Sequence, residues 1–380
     1  MSQRSYLDYN ATAPLRDEVR DAFAAALPLY GNPSSVHEEG RVARSAIEAA
    51  RAKVAALVGA RPEDVIFTSG GTEANALALA AQTGEAWQCY MSAVEHPSVL
   101  AGGRFYRETT TTLPVTRDGV ADLEILAKEL EKHHLGGWRP FVSLMTANNE
   151  TGAIQPVAEA SKIVHSANGL FHTDAVQAAG RIKLDMAALG PDMLTLSAHK
   201  IGGPKGIGAL VLGNGASVQP LIKGGGQERR RRAGTENVAG IVGFGIAAEL
   251  AAADLAKVGA IATLRDELEK SVAAVAPDAI VLSARVGRLP NTSCIAVPGA
   301  KAETLVIGLD LAGVAVSSGS ACSSGKVEAS HVLSAMGVPE ELAQGAIRVS
   351  LGFATKRDDI ERFLRAFDEL IKRLRPRVAA

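Results

Sequence analysis

Short apolar runs alternate with helical patterns through the first two thirds of the chain. The run DVIFTSGG (residues 64–71) predicts a strand that enters a glycine turn, and TEANALALAAQ (72–82) predicts the helix that follows. The pattern returns in FVSLMTANNETG (141–152), a strand with a polar end, and in VAEASKIVHSANG (157–169), a helix closed by Asn-Gly. This repetition favours an α/β fold with a mostly parallel sheet covered by helices on both faces.

Polar residues gather where the predicted strands end. Three further strands are predicted by LFHTDAVQ (170–177), DMLTLSAHK (192–200) and GIGALVLG (206–213). Ligands of such sheets bind at the carboxyl ends of the strands. The residues expected there are Gly71, Thr72, Asn149, Asp174, Gln177, Ser197, His199 and Lys200.

The pattern changes after about residue 250. A long helical stretch leads into the shorter segments NTSCIAV, AETLVIGLDLAG, VAVSSGSAC and AIRVSLG, and a last helix starts near residue 356 with acids first and bases last. We expect a smaller α+β domain here. The predicted division is a large domain of residues 14–254 and a small domain of residues 1–13 and 255–380.

Composition excludes several classes of function. With 380 residues, 47% of them hydrophobic, and a net charge of −1, the chain is long enough for roughly two globular domains. Nothing in this charge balance favours nucleic acid or an anionic membrane. The N-terminus lacks a signal-peptide pattern, and VAGIVGFGIAA (238–248) is glycine-broken and too short to span a membrane.

Three cysteines, Cys89, Cys294 and Cys322, fit neither a disulfide framework nor a zinc site. A cytoplasmic location is therefore expected. The run RRRR (229–232) is the one basic cluster, and either a solvated loop or the binding of phosphates, carboxylates or acidic partners explains it.

Three features at the strand ends match the needs of one cofactor. Lys200 ends SAHK, Thr72 opens a helix behind the glycine turn of FTSGGTE (67–73), and Asp174 ends another strand. Each alone has an ordinary explanation, namely a solvated lysine, a common turn and a helix cap. Together they match pyridoxal phosphate (PLP), which requires a lysine for covalent attachment, an acid at its ring nitrogen and a phosphate seat.

Segments spread over nearly the whole chain resemble the PLP-dependent cysteine desulfurases of the nitrogen-fixation type, in the class-V aminotransferase superfamily. In chain order they are YLDYNATAPL, YGNPSSVH, FTSGGTEANALA, VEHPSVL, ANNETGAIQPV, FHTDAVQAAGR, SAHKIGGPKGIGAL, GGGQERRRRAGTENV, SSGSACSSG and IRVSLG. The resemblance implies the PLP-dependent aminotransferase fold type I, with a mostly parallel seven-stranded sheet in the large domain and a smaller α+β domain. It also implies a homodimer with shared sites.

The resemblance implies a role for each candidate residue. Lys200 would bind the cofactor and move the substrate Cα proton, His96 would stack on the ring and assist proton transfer, and Asp174 would keep the ring nitrogen protonated. Expected phosphate contacts are Gly71, Thr72, Ser197, His199 and, from a neighbouring subunit, Thr235. Expected contacts to the ring oxygen and substrate are Gln177 and Asn149, while Arg348 would hold the substrate carboxylate with Asn32 as a helper.

Cys322 lies in SSGSACSSG (317–325), a glycine- and serine-rich loop. Taken alone, a loop cysteine is incidental more often than functional. In the resembling enzymes the equivalent cysteine attacks the sulfur of the substrate, which yields alanine and an enzyme persulfide. A loop lets such a thiol travel between the cofactor and the surface, where the thiolate is reachable.

Two other functions stay open on the residues alone. An aminotransferase or a cysteine or selenocysteine lyase needs the same lysine, acid and phosphate seat but no loop thiol. A catalytically inactive scaffold or sulfur-relay protein would be expected to lack at least one of Lys200, Asp174, His96 and Cys322. The desulfurase interpretation adds L-cysteine as substrate and a sulfur-acceptor or iron–sulfur scaffold protein as partner, with no nucleic acid and no membrane.

Overall fold

A computed structural model shows a central sheet with helices on both faces, and it describes residues 4–80, 87–134, 137–319 and 330–374. The strands are β1 (Ser5–Tyr6), β2 (Val65–Thr68), β3 (Trp87–Ser92), β4 (Thr110–Leu113), β5 (Arg139–Ser143), β6 (Leu170–Asp174), β7 (Met193–Ser197), β8 (Gly208–Leu212), β9 (Ile280–Val281), β10 (Thr292–Ala296), β11 (Val314–Ala315), β12 (Ser317–Ser318) and β13 (Ala346–Ser350). The helices are α1 (Asp17–Ala26), α2 (Glu38–Leu57), α3 (Gly71–Ala78), α4 (Pro97–Leu100), α5 (Leu123–His134), α6 (Val157–Ser166), α7 (Met186–Leu189), α8 (Val238–Asp254), α9 (Val258–Val275), α10 (Ala302–Leu311), α11 (His331–Ala335), α12 (Glu340–Ala343) and α13 (Arg357–Leu374).

The central sheet has seven strands in the order β2-β8-β7-β6-β5-β3-β4. Only β8 runs against its two neighbours, β2 and β7. The other pairs are parallel, so β2, β5, β6 and β7 end at one edge of the sheet. The predicted mostly parallel α/β sheet is confirmed.

Neighbouring residues of each buried strand point to opposite faces of the sheet. In β2, Val65 and Phe67 pack with α2 and α8, while Ile66 packs with α3 on the other face. Strands β2 and β8 are therefore nearly continuous apolar runs, VIFT and GALVL, which is typical of sheets that are covered on both sides.

Helix α8 contains the apolar segment VAGIVGFGIAA and lies in the core. Together with α9 it forms the stretch Val238–Val275, which is long and apolar enough to cross a membrane by length and composition. A Cβ atom on Gly245 would lie 2.7 Å from the Cα of Ala50 in α2, and one on Gly243 would lie 2.6 Å from Pro204. The glycines thus let α8 pack closely against its neighbours, which accounts for a glycine-rich apolar helix inside a folded domain.

The C-terminal part contains a second, antiparallel sheet in the order β12-β13-β10-β9. Helices α9, α10 and α13 cover it, with Leu268, Leu305 and Phe363 in the shared core. Strand β1 pairs in parallel with β11, which joins the N-terminal segment to this part of the molecule. The domain bounds given above stay a prediction.

Of two local predictions in this part, one falls partly outside the described residues and the other is confirmed. The segment VAVSSGSAC forms only the two-residue strands β11 and β12 where it is described, and Cys322 lies outside the described residues. The last helix has the expected polarity, with Asp358 and Asp359 in its first turn and Lys372 and Arg373 in its last.

Candidate active site

A cavity of about 220 Å³ opens at the carboxyl ends of the central strands. Its walls contain Asn75, Ser98, Met145, Ala147 and Val176 beside the predicted residues Gly71, Thr72, His96, Asn149, Asp174, Gln177, Ser197, His199 and Lys200. The structure therefore brings together residues that are spread over about 130 positions of sequence. Strand topology does this, because these residues follow β2, β3, β5, β6 and β7.

The carboxylate of Asp174 lies at the end of β6 and is buried. Its Oδ1 accepts the backbone N–H of Val176 at 2.9 Å, and its Oδ2 accepts the side-chain amide of Asn75 at 2.7 Å. Asn75 was not predicted from the sequence. The signal was present, since Asn75 lies three residues after Thr72 and therefore on the same face of α3.

Lys200 lies in the short turn that follows β7. Its Nζ donates to the backbone carbonyls of Asn10 at 2.5 Å and Ala11 at 2.9 Å. The amide of Asn10 donates to the carbonyl of Asn149 and to Thr292, and the carbonyl of Asn10 also accepts from Gln177. Asn10 thus connects the N-terminal segment to three residues that line the cavity, Lys200, Asn149 and Gln177. The sequence analysis did not predict this role.

His96 caps the short helix α4 with its ring. Its Nδ1 accepts the backbone N–H of Ser98 at 3.1 Å and lies 2.7 Å from the hydroxyl of Ser98. Burial lowers the pKa of His96, and the positive charge of Lys200 lowers it further, while Asp174 opposes the shift. The ring is therefore neutral at neutral pH, with Nδ1 as an acceptor.

The N-terminus of α3 forms the anion-binding side of the cavity. No side chain from the described part of the chain caps this helix, which begins after Gly70. A Cβ atom on Gly71 would lie 3.1 Å from Val176 and 3.4 Å from Ser197, so the glycine keeps the entrance to the helix open. Burial lowers the pKa of the neighbouring His199 to about 4, which leaves its ring neutral. Helix N–H groups, the hydroxyls of Thr72 and Ser197, and Lys200 are a donor set that suits a phosphate group.

Arg348 lies on β13 and is 2% exposed. Its Nη2 pairs with Asp8 at 2.7 Å, and its Nη1 donates to the carbonyl of Asn149 at 3.0 Å. Among the described residues, its Nε has no hydrogen-bond partner. Arg348 is thus held beside the cavity wall by Asn149 rather than lining the cavity itself.

Besides Arg348, two predicted residues do not line the cavity of this chain, namely Thr235 and Asn32. Thr235 and Asn32 are exposed, and the side chain of Asn32 accepts the backbone N–H of Ser34 at 2.9 Å. Cys322 falls outside the described residues. A second subunit is the expected explanation for Thr235, because its role was predicted at a neighbouring site.

Two buried carboxyl groups flank the cavity and were not predicted. Burial raises the pKa of Glu95 well above its usual range, and its Oε1 accepts the backbone N–H of Met145. Burial also raises the pKa of Glu150, to about 7. Glu95 directly precedes the predicted site residue His96, and Glu150 directly follows Asn149. This adjacency could have identified them from the sequence.

The fold and the site together are typical of the aminotransferase fold type I, and comparison with known proteins agrees. The class-V aminotransferase model matches residues 5–363. The chain is 46% identical to a cysteine desulfurase of Cereibacter sphaeroides, covering 98% of this chain and 97% of that protein. It is 44% identical to cysteine desulfurase IscS of Dictyoglomus turgidum, covering 99% and 96%.

A solved structure of a NifS-like protein from Rickettsia africae superposes with a TM-score of 0.89 at 37% identity, covering 97% of this chain and 100% of that one. Identity and coverage of this extent show common ancestry along the whole fold. The chain belongs to the class-V aminotransferase family, among the cysteine desulfurases of the NifS and IscS type.

Proposed function

We propose that this protein is a PLP-dependent cysteine desulfurase that converts L-cysteine to L-alanine and retains the sulfur as a persulfide on Cys322. One observation carries the proposal. A single cavity holds a lysine, a buried carboxylate and an uncapped helix N-terminus, which are the three groups that PLP requires.

The residues present fit the cofactor. Asp174 would pair with the ring nitrogen, oriented by Asn75, and the start of α3 would hold the phosphate with Thr72, Ser197 and His199. A neutral His96 suits a place beside a protonated ring, because it adds no positive charge there, and a neutral His199 can still donate a ring N–H to the phosphate. When bound, PLP supplies an electron sink that stabilises negative charge on the substrate Cα.

The chain's own residues would bind the substrate and move its protons. Arg348 would bind the substrate carboxylate, since its guanidinium lies next to the cavity wall, where Nη1 donates to the carbonyl of Asn149. Lys200, which lines the cavity and whose Nζ donates to the carbonyls of Asn10 and Ala11, would remove and return protons at carbon. The wall of Met145 and Ala147 would exclude water on the side of the ring.

Sulfur transfer would use the thiolate of Cys322. An S–S bond forms between Cys322 Sγ and the substrate sulfur as the substrate Cβ–S bond breaks, and a proton is delivered to the former Cβ to complete alanine. No outside oxidant is needed, because the substrate carbon is reduced as its sulfur becomes part of the persulfide. The sulfur would pass to an acceptor or iron–sulfur scaffold protein in the cytoplasm.

Replacement of Cys322 by alanine tests the function. PLP binding and the spectral change on adding L-cysteine should persist, whereas alanine and persulfide formation should collapse, because no other described thiol reaches the cavity. Mass spectrometry after one turnover of the wild type should find the added sulfur on the peptide that contains Cys322. Near-normal desulfuration by Cys322→Ala would contradict the assignment.

Cys89→Ala and Cys294→Ala are the matched controls. Both cysteines are buried, and burial raises the pKa of each thiol, that of Cys294 to about 12. They are therefore protonated at neutral pH and unreactive. Their replacement should leave turnover near normal and cost about 1 kcal/mol of stability for a small core cavity.

A further inference from the structure

The segment Gln227–Arg232, which contains the RRRR run, has an unusual backbone. Glu228, Arg229 and Arg230 are consecutive residues with φ of 44°, 56° and 66°. The left-handed region is disfavoured for residues with a side chain, and three in a row persist only where the surroundings hold them in place. The contacts that hold this segment therefore indicate what it does.

Glu228 forms a buried two-pronged ion pair with Arg51 of α2. Arg51 Nη1 lies 2.7 Å from Glu228 Oε2, Nη2 lies 3.0 Å from Oε1, and the two side chains are only 7% and 4% exposed. Both side chains also form hydrogen bonds with the backbone of β2. Glu228 Oε2 accepts the backbone N–H of Phe67 at 3.0 Å, and Arg51 Nη1 donates to the carbonyl of Val65 at 2.9 Å.

Arg232 forms a second two-pronged pair, with Glu73 in the first turn of α3. Its Nε lies 2.8 Å from Oε1 and its Nη2 lies 3.2 Å from Oε2. The carboxylate of Glu73 also accepts the backbone N–H of Ser69 at 2.8 Å. The two pairs thus attach to the chain on both sides of Gly70, one on β2 and one on the start of α3.

The remaining contacts explain the basic run. Arg229 and Arg231 both donate to the carbonyl of Glu63, at 3.0 and 2.9 Å. With Arg232 on Glu73, three of the four arginines bind the protein itself. These three side chains therefore attach the segment to the protein, and of the three Arg229 is exposed to solvent.

We propose that Arg51, Glu73, Glu228 and Arg232 are positioning residues that hold the turn of residues 68–72 as a preformed phosphate seat. The inference rests on the proposed function, because the phosphate concerned is that of PLP. A turn that contains two glycines is intrinsically free to move, and the two ion pairs remove that freedom before the ligand arrives.

The proposal predicts a loss of cofactor affinity that depends on the phosphate. Glu228→Gln and Arg232→Gln should each weaken PLP binding to the apoprotein by about tenfold, measured by spectral titration. Binding of pyridoxal, which lacks the phosphate, should be unchanged. The phosphorus NMR line of bound PLP should also shift or broaden in both variants. A role limited to overall stability would weaken both ligands equally.

Arg61→Gln is the matched control. Arg61 is an arginine that precedes β2, 70% exposed and paired with Asp64, and none of its hydrogen bonds or ion pairs in the described part of the chain reaches the turn. It should bind PLP and pyridoxal like the wild type. If Glu228→Gln fails to fold because the buried Arg51 keeps only the exposed Glu48 as a charged partner, Arg232→Gln still decides, since its pair with Glu73 is partly exposed.

The outcomes separate this inference from the proposed function. A wild-type protein that binds no PLP would overturn the proposed function. A wild type that binds PLP, with variants that bind it equally well or lose pyridoxal to the same extent, would overturn only the positioning role.

Discussion

Glu150 is a buried side chain whose pKa lies near neutral pH. Burial raises its pKa to about 7, against the opposing effects of a hydrogen bond from Ser330 and the positive charge of Arg348. Its neighbour Asn149 accepts from Arg348, so the turn that carries both residues links the expected carboxylate-binding arginine to Ser330 at the start of α11. Loss of the proton of Glu150 therefore places a negative charge in a buried position, and we expect this to lower the stability of the fold.

We expect the stability of the protein to fall as pH rises toward 7 because of Glu150. Between an ordinary glutamate pKa near 4.5 and about 7, the folded protein holds a proton that the unfolded chain releases. Each step up in pH through that window favours the unfolded state, and the effect levels off above it. Glu150→Gln imitates the protonated form and should not show this loss, which amounts to about 2 kcal/mol between pH 5 and pH 7.

Urea unfolding of both proteins at several pH values measures this difference. The free energy of unfolding of the wild type should decline relative to that of Glu150→Gln from pH 5 to pH 7. Glu159→Gln, at an exposed position on α6, is the control and should follow the wild type. Parallel curves for the wild type and Glu150→Gln would show that Glu150 titrates near its ordinary value.

Strand β8 supports the glycine turn that leads into α3. It is the antiparallel member of the central sheet, and it lies between β2 and β7. A Cβ atom on Gly208, its first residue, would lie 2.5 Å from the backbone carbon of Gly70 and 2.8 Å from the carbonyl oxygen of Leu196. Because both neighbours are backbone atoms, a change of side-chain rotamer cannot make room for the added Cβ atom.

Gly208→Ala should therefore displace the turn. We expect a loss of about 1–3 kcal/mol in the free energy of unfolding, and weaker PLP binding than in the wild type. Thermal unfolding and cofactor titration measure the two effects. Gly259→Ala in α9 is the control, since nothing lies within 4 Å of its added Cβ, and it should stabilise the helix by up to about 1 kcal/mol. Equal stability of Gly208→Ala and the wild type would contradict the packing argument.

The position of Thr235 bears on the oligomeric state of the protein. Thr235 is exposed in a single chain, whereas the other predicted phosphate contacts line one cavity. We expect a homodimer in which Thr235 completes the site of the partner. Sedimentation should then give about twice the chain mass of 39.4 kDa.

Subunit mixing tests the shared site. Thr235→Ala and Lys200→Ala chains are each expected to be impaired alone. In a mixed dimer, one site combines an intact Lys200 with an intact Thr235, so part of the activity should return after the two chains are unfolded and refolded together. A mixture no more active than its separate components, or a fully active monomer, would rule out the shared site.

The sequence by itself determined the class of fold and most of the cavity. Apolar runs with glycine turns predict buried strands from local pattern alone, and ligands of such sheets bind at the strand ends. Gly71, Asp174 and Lys200 could therefore be placed at one edge without any knowledge of distant contacts. The role of Cys322 in the desulfurase interpretation depended on resemblance, because a loop thiol has no pattern of its own.

Only the tertiary structure decided the partners of these residues. Lys200 bonds to Asn10, Glu228 pairs with Arg51, and Arg348 pairs with Asp8, and each of these pairs joins residues at least 177 positions apart in sequence. Local pattern shows which side chains are polar and where a strand ends, but a partner is set by how separate elements pack. For the same reason the sequence left the role of the basic run undecided, whereas the structure shows that it attaches its segment to the protein. Three of its arginines donate to Glu63 and Glu73, which the packing of β2 and α3 brings close to the run.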